Sequence, residues 1–158
     1  MRSLICLFAL VLFAFTAAAA DFSAGLKASE KGDYTTAVKE WRPIAEQGGA
    51  AAQFNLGLLY LDGHGVPQDI AQAVSWFEKA AQQDYAKAQL NLGAMYASGN
   101  GVKRDYIQAY KWLNLCAAKG DQKCLAQRDL VAKKLKPKQL ATAQRLSSEF
   151  TPKKESEQ

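Results

Sequence analysis

The side chains best suited to covalent or metal chemistry are two cysteines, Cys116 and Cys124, and the single histidine, His64. The cysteines stand symmetrically about Gly120, each four residues away, about one helical turn from a corner. Such a pair reads either as a disulfide across the corner, at a Cα separation near the usual ~5.5 Å, or as two buried free thiols. With seven residues between the cysteines and no histidine nearby, it is a poor zinc site. His64 lies between two glycines, where it reads as a turn residue, because no serine or cysteine nucleophile is placed to pair with it. The chain has no Ser-x-x-Lys, Lys-Thr-Gly, glycine-rich phosphate loop or His-Glu-x-x-His. The reading is therefore of a protein that is not an enzyme, with no catalytic, cofactor-binding or metal residues and no cofactor.

The elements that must carry these residues repeat. Residues 51–86 align on 87–122 without a gap, and 14 of the 36 positions are identical. Gln53/Gln89, Leu56/Leu92, Gly57/Gly93 and Tyr60/Tyr96 fall at i, i+3, i+4 and i+7, one face of a helix. Ala73/Ala109, Trp76/Trp112 and Ala81/Ala117 mark one face of a second helix. Between them Gly63-x-Gly65-Val66 and Gly99-x-Gly101-Val102 break the chain, and Asp69 and Asp105 are N-cap candidates. Small residues at Gly57 and Ala73 let the two backbones approach, with Tyr60 and Trp76 expected to fill the space beside them. One hairpin cannot bury its own apolar face; stacked neighbours can.

The pattern extends both ways. Asp33 and Ala37 stand 36 residues before Asp69 and Ala73, so 22–49 reads as a degenerate first hairpin. Downstream, 121–149 reads as a pair of capping helices split by Pro137, and 151–158 as a disordered tail. The repeats place Ala80 and Ala88 one period before Cys116 and Cys124, so both sites are small, as close-passing helices require.

Residues 1–20 have the three-part pattern of a secretory signal: Arg2, an apolar run from Leu4 to Phe15, and Ala18-Ala19-Ala20 before Asp21. The run is short for a membrane span of roughly 20 residues. The chain is thus expected to be exported, periplasmic or secreted, without stable membrane insertion once the signal is cleaved. Charge is uneven. Residues 21–118 carry a net −1, whereas 119–145 carry eight basic groups against Asp121 and Asp129, a net +6. A basic end can serve nucleic acid, anionic lipid or cell-wall polymer, or simply solvate a helix face. Export argues against nucleic acid.

The stretches AAQFNLGLLYLDGHGVPQDIAQAVSWFEKAA and AKAQLNLGAMYASGNGVKRDYIQAYKWLNLCAA resemble Sel1-like repeats, relatives of the tetratricopeptide repeats. The resemblance is strong over 51–120 and weaker over 22–50 and 121–149. It implies an all-α fold, a right-handed α/α superhelix of about four antiparallel helix pairs, acting as a scaffold for protein–protein contacts. Some secreted members staple neighbouring helices with a cysteine pair in a register one residue different. Others are described as penicillin-binding or β-lactamase-like, which the missing serine–lysine motif does not support here. The functional expectation is an exported scaffold binding a protein or peptide. The alternative is an envelope enzyme, or a polyanion or cell-wall binder using the basic C-terminal helices. In stacked pairs the concave surface comes mainly from the first helices. Asn55, Asn91 and Gln127 would then offer an amide row, and Leu59, Met95 and Val131 an apolar row, to an extended peptide. Asn55 and Asn91 could equally satisfy backbone groups between repeats.

Overall fold

The computed structural model describes residues 22–153. The expected signal, 1–20, lies outside the described residues, as do 154–158. Eight helices and no strand are present among the described residues: α1 (22–30), α2 (Tyr34–Glu46), α3 (Ala50–Asp62), α4 (Ile70–Gln82), α5 (Ala86–Ser98), α6 (Tyr106–Ala117), α7 (Gln122–Ala132) and α8 (Pro137–Ser148). The fold is the expected all-α superhelix, with helix pairs stacked in chain order.

Aspartates start α2, α4, α6 and α7. Asp33 accepts from Thr36 N, Asp69 from Gln72 N, Asp105 from Ile107 N and Gln108 N, and Asp121 from Lys123 N and Cys124 N. Each satisfies amides that the first turn leaves without partners. Glycines end α3 and α5, because Gly63 and Gly99 adopt left-handed φ of 70° and 80°. Each long turn then closes with one backbone bond, Asp69 N to Tyr60 O and Asp105 N to Tyr96 O, both 2.9 Å.

Within the first three pairs a glycine receives a large side chain from the opposite helix. A Cβ at Gly57 would lie 2.5 Å from the Phe77 ring, and one at Gly93 would lie 2.6 Å from Leu113. Phe77 and Leu113, 36 residues apart, fill the space expected for Tyr60 and Trp76; Trp76 packs instead with Trp41 and Leu59 toward the first pair. The first pair keeps the device, since a Cβ at Gly25 would collide with Trp41. Its 36-residue alignment is obscured because the turn at 31–33 is four residues shorter than 63–69.

The last two helices are built differently. At the notch position α7 carries Asp129, and where Phe77 and Leu113 stand α8 carries Glu149 just past its end; both are exposed and paired locally, with Arg128 and Arg145. Without the notch α8 packs mainly on α6, burying Ala143 beside Tyr110 and Leu113. The segment after α8 also departs from expectation. Phe150 meets Trp112 edge-on at 5.8 Å, and Lys153 N donates to Gln82 O at 2.8 Å. Residues 151–153 are therefore docked, held by the aromatic that precedes them.

The corners between pairs hold buried amides. Gln53, in α3, donates to Ala45 O at the end of α2, and Gln83 donates to both Gln53 Oε1 and Gly48 O. One period on, Gln89 donates to Ala81 O and Asp84 Oδ1, while Lys119 donates to Gln89 Oε1 and to Asp84 through both its side chain and its carbonyl. Asp84 is the single non-glycine residue with positive φ, 68°, among the described residues; Gly48 and Gly120 hold its place in the neighbouring corners.

The notch makes a stability prediction. Gly57→Ala puts a methyl into a fully buried ring, so urea unfolding should show a loss of about 1–3 kcal/mol. An unchanged midpoint would contradict the close approach of α3 and α4.

Candidate functional site

The first helices, α3, α5 and α7, line a groove of about 510 Å³ bounded by Phe54, Lys87, Leu90, Asn91, Asp121, Gln122 and Lys123. Asn91 is among the lining residues. Asn55, Asn91 and Gln127 are partly exposed, and none makes a side-chain hydrogen bond among the described residues. The amides that satisfy backbone groups between repeats are Gln53 and Gln89, two residues earlier. That leaves the asparagines available to solvent or a partner.

The apolar row is placed elsewhere. Leu59, Met95 and Val131 are 5%, 5% and 6% exposed and sit inside the core. The reason is geometric: α3 packs on both α4 and α2, α5 packs on both α6 and α4, and Val131 of α7 is buried against α6. Leu59 is covered by α2 and Met95 by the cluster of α3 and α4. Only a narrow arc stays open. Around the groove the apolar neighbours of Asn91 are the half-buried Leu90 and the edge of the buried Phe54, and the basic ones are Lys87 and Lys123. Each set is 36 residues apart, so the repeat spacing puts Phe54 and Leu90 one residue before the asparagines, and Lys87 and Lys123 four residues before Asn91 and Gln127.

Cys116 and Cys124 are joined in a disulfide with a Cα separation of 5.7 Å, fully buried, linking α6 to α7. Asp121 has a carboxylate near the two sulfurs, which suggests a metal trio. The sulfurs, however, are committed to each other, and the carboxylate accepts two backbone amides. That donor set does not fit a metal. His64 stacks on Tyr34, the rings 4.4 Å apart and tilted by 10°, so the histidine turn seals against the start of α2.

At the far ends of the first helices two tyrosines reach the preceding pair. Arg42 donates to the Tyr60 hydroxyl at 2.9 Å, and the Tyr96 hydroxyl donates to Glu78 at 3.1 Å. Burial, with the Glu78 charge and hydrogen bond adding to it, pushes the Tyr96 phenol up to about 12. Burial also lowers Lys111, whose ammonium lies over the Trp112 ring at 4.3 Å.

A profile of the Sel1 repeat matches residues 50–85 and 86–121. A search of the curated proteins gives no match. Among solved structures, a protective antigen present in uropathogenic Escherichia coli strains, displaying an SLR fold, is similar with a TM-score of 0.80 and 37% identity. The match covers 84% of this chain and 29% of that one. A Sel1 repeat protein from Oxalobacter formigenes is similar with a TM-score of 0.70 and 32% identity over 84% of this chain and 58% of that one. The chain thus spans less than two thirds of either structure.

Two outcomes can be checked. Alkylation of the unfolded, unreduced mature protein should label no thiol, and replacing both Cys116 and Cys124 by alanine should cost about 2–3 kcal/mol, the closed loop being short. Labelling of two thiols would reject the bridge. The Tyr96 phenol stays protonated in the folded protein up to about pH 12, while in the unfolded chain it ionises near 10. Its contribution is full below pH 10 and is lost as pH rises from about 10 to 12. The stability advantage of the wild type over Tyr96→Phe should therefore shrink between urea titrations at about pH 8 and about pH 11; a constant difference would contradict it.

Proposed function

The chain carries two Sel1 repeats, and from that premise we propose that it is an exported scaffold that binds an extended peptide segment of a partner protein along α3, α5 and α7. Sel1 repeat proteins are generally protein–protein interaction scaffolds without catalysis. The observation that carries the reading is the open groove in which the Asn91 amide, without an internal partner, stands beside Phe54 and Leu90. An amide beside apolar walls is what an extended peptide needs: the amide bonds its backbone, and the walls take alternate side chains. The signal-like pattern at 1–20 and the buried disulfide support export, since disulfides persist in oxidising compartments. A similar structure is that of a protective antigen, which fits the same location. We take 21–150 as one repeat domain, with α7 and α8 as its C-terminal cap.

The test uses phage-displayed random decapeptides. Peptides selected on the wild type should lose about tenfold in affinity for Asn55→Ala combined with Asn91→Ala, two hydrogen bonds at about 0.5–1.5 kcal/mol each, with melting unchanged. Lost stability with undiminished binding per folded molecule would contradict it.

A further inference from the structure

The turns that join the first and second helix of each pair change character along the array. At 63–69 the turn is Gly-His-Gly-Val-Pro-Gln-Asp, with no cation. At 99–105 the same positions read Gly-Asn-Gly-Val-Lys-Arg-Asp, so Lys103 and Arg104 replace Pro67 and Gln68. From the end of α7 into the first turn of α8, Lys133, Lys134, Lys136 and Lys138 follow within six residues. Arg104 and Lys134 line one cavity of about 230 Å³ with Tyr106, Ile107 and Leu135, so the two basic turns abut. All six cations are exposed, and none makes an ion pair among the described residues.

The nearby acids are already engaged. The Asp105 carboxylate accepts from Ile107 N and Gln108 N at the start of α6. Asp129 is paired with Arg128 at 2.7 Å. Those amide bonds leave Asp105 charged, so one carboxylate opposes the six cations and the edge stays strongly positive. Leu130 is 62% exposed, and it sits three and four residues before Lys133 and Lys134, hence next to them on the surface.

We propose that this basic edge is a docking surface for an anionic lipid bilayer. The lysines and arginine meet the headgroups, and Leu130 enters the interfacial region. Charge complementarity sets the sign of the partner, and the leucine chooses between sources of negative charge: a hydrated polymer offers nothing to an exposed apolar side chain, whereas a bilayer interface does. The attachment is peripheral, since no helix among the described residues is long and apolar enough to cross a membrane. The residues lining the groove of α3, α5 and α7 are not among those of the basic edge.

Each cation near an anionic surface raises partition by about fivefold at most. The experiment is co-flotation of the full chain with vesicles of phosphatidylcholine alone, or with phosphatidylglycerol added, at about 50 mM and about 500 mM salt. The readout is the ratio of anionic to neutral binding, which an apolar leader does not move. The expected result is an anionic preference that collapses at high salt. It should fall at least tenfold when Lys133, Lys134, Lys136 and Lys138 all become Gln, and a few-fold for Lys103→Gln with Arg104→Gln. Leu130→Ser should weaken vesicle binding but not binding to soluble polyphosphate. Equal binding to neutral and anionic vesicles would overturn the proposal. So would a Leu130→Ser variant that binds vesicles like the wild type while polyphosphate competes fully, the outcome of a polymer site. The two-residue variant keeps the test decisive if the four-residue one fails to fold.

Discussion

A glutamine side chain with no contact to solvent must find its hydrogen bonds inside the protein, and leaving them unmade costs about 1–3 kcal/mol. Gln53 and Gln89 are 4% and 0% exposed, and they find theirs in the corner through which one helix pair passes into the next. Each takes a carbonyl at the end of the preceding second helix. Each is in turn bonded by a residue at the end of its own second helix, Gln83 or Lys119. Three consecutive helices are thus tied at one point, and that point fixes how far each pair is displaced from the last. It also accommodates Asp84 in a left-handed conformation that glycine occupies at the other corners, because the Asp84 carboxylate is held from both sides.

The third corner shows what happens when the clamp is absent. One period after Gln89 stands Leu125, and the position of Lys119 recurs only at Glu155, beyond the described residues. At this corner Cys116 and Cys124 replace Ala80 and Ala88 and are covalently joined. The bridge occupies the place in the stack where the polar tie is missing. The same end of the array loses the glycine notch: Asp129 and Glu149 stand where a glycine and a large apolar residue would close the pair. With neither device available, α8 settles on α6, and Phe150 carries the chain across Trp112 toward α4. The array ends because the residues that propagate it stop.

Much of this was legible in the sequence. The 36-residue spacing of Gly57, Tyr60, Asp69 and Trp76 with their copies defines helix, turn and helix, because glycine and aspartate act locally and need no tertiary context. The cysteine pair was legible as two alternatives, and the close approach of α6 and α7 decides between them. The candidate surface was only half legible. Asn55 and Asn91 are open, but Leu59, Met95 and Val131 are not, because a helix flanked on two sides buries a wider arc than the periodicity of a single contact face suggests. Nor does spacing tell a buried amide from an exposed one: Gln53 falls on the same helix face as Leu56, Gly57 and Tyr60, yet its bonds to the corner depend on where α2 ends. The docked segment after α8 was hidden by its polar composition, since the anchor, Phe150, lies one residue before it.

The clamp is tested most directly by a double-mutant cycle on Gln89→Leu and Lys119→Met, followed by urea unfolding. If the two side chains act as one tie, the double variant should lose less than the sum of the single losses, with a coupling of about 1 kcal/mol or more. Losses that add to within about 0.3 kcal/mol would mean that Gln89 and Lys119 stabilise the corner independently, and would contradict the account.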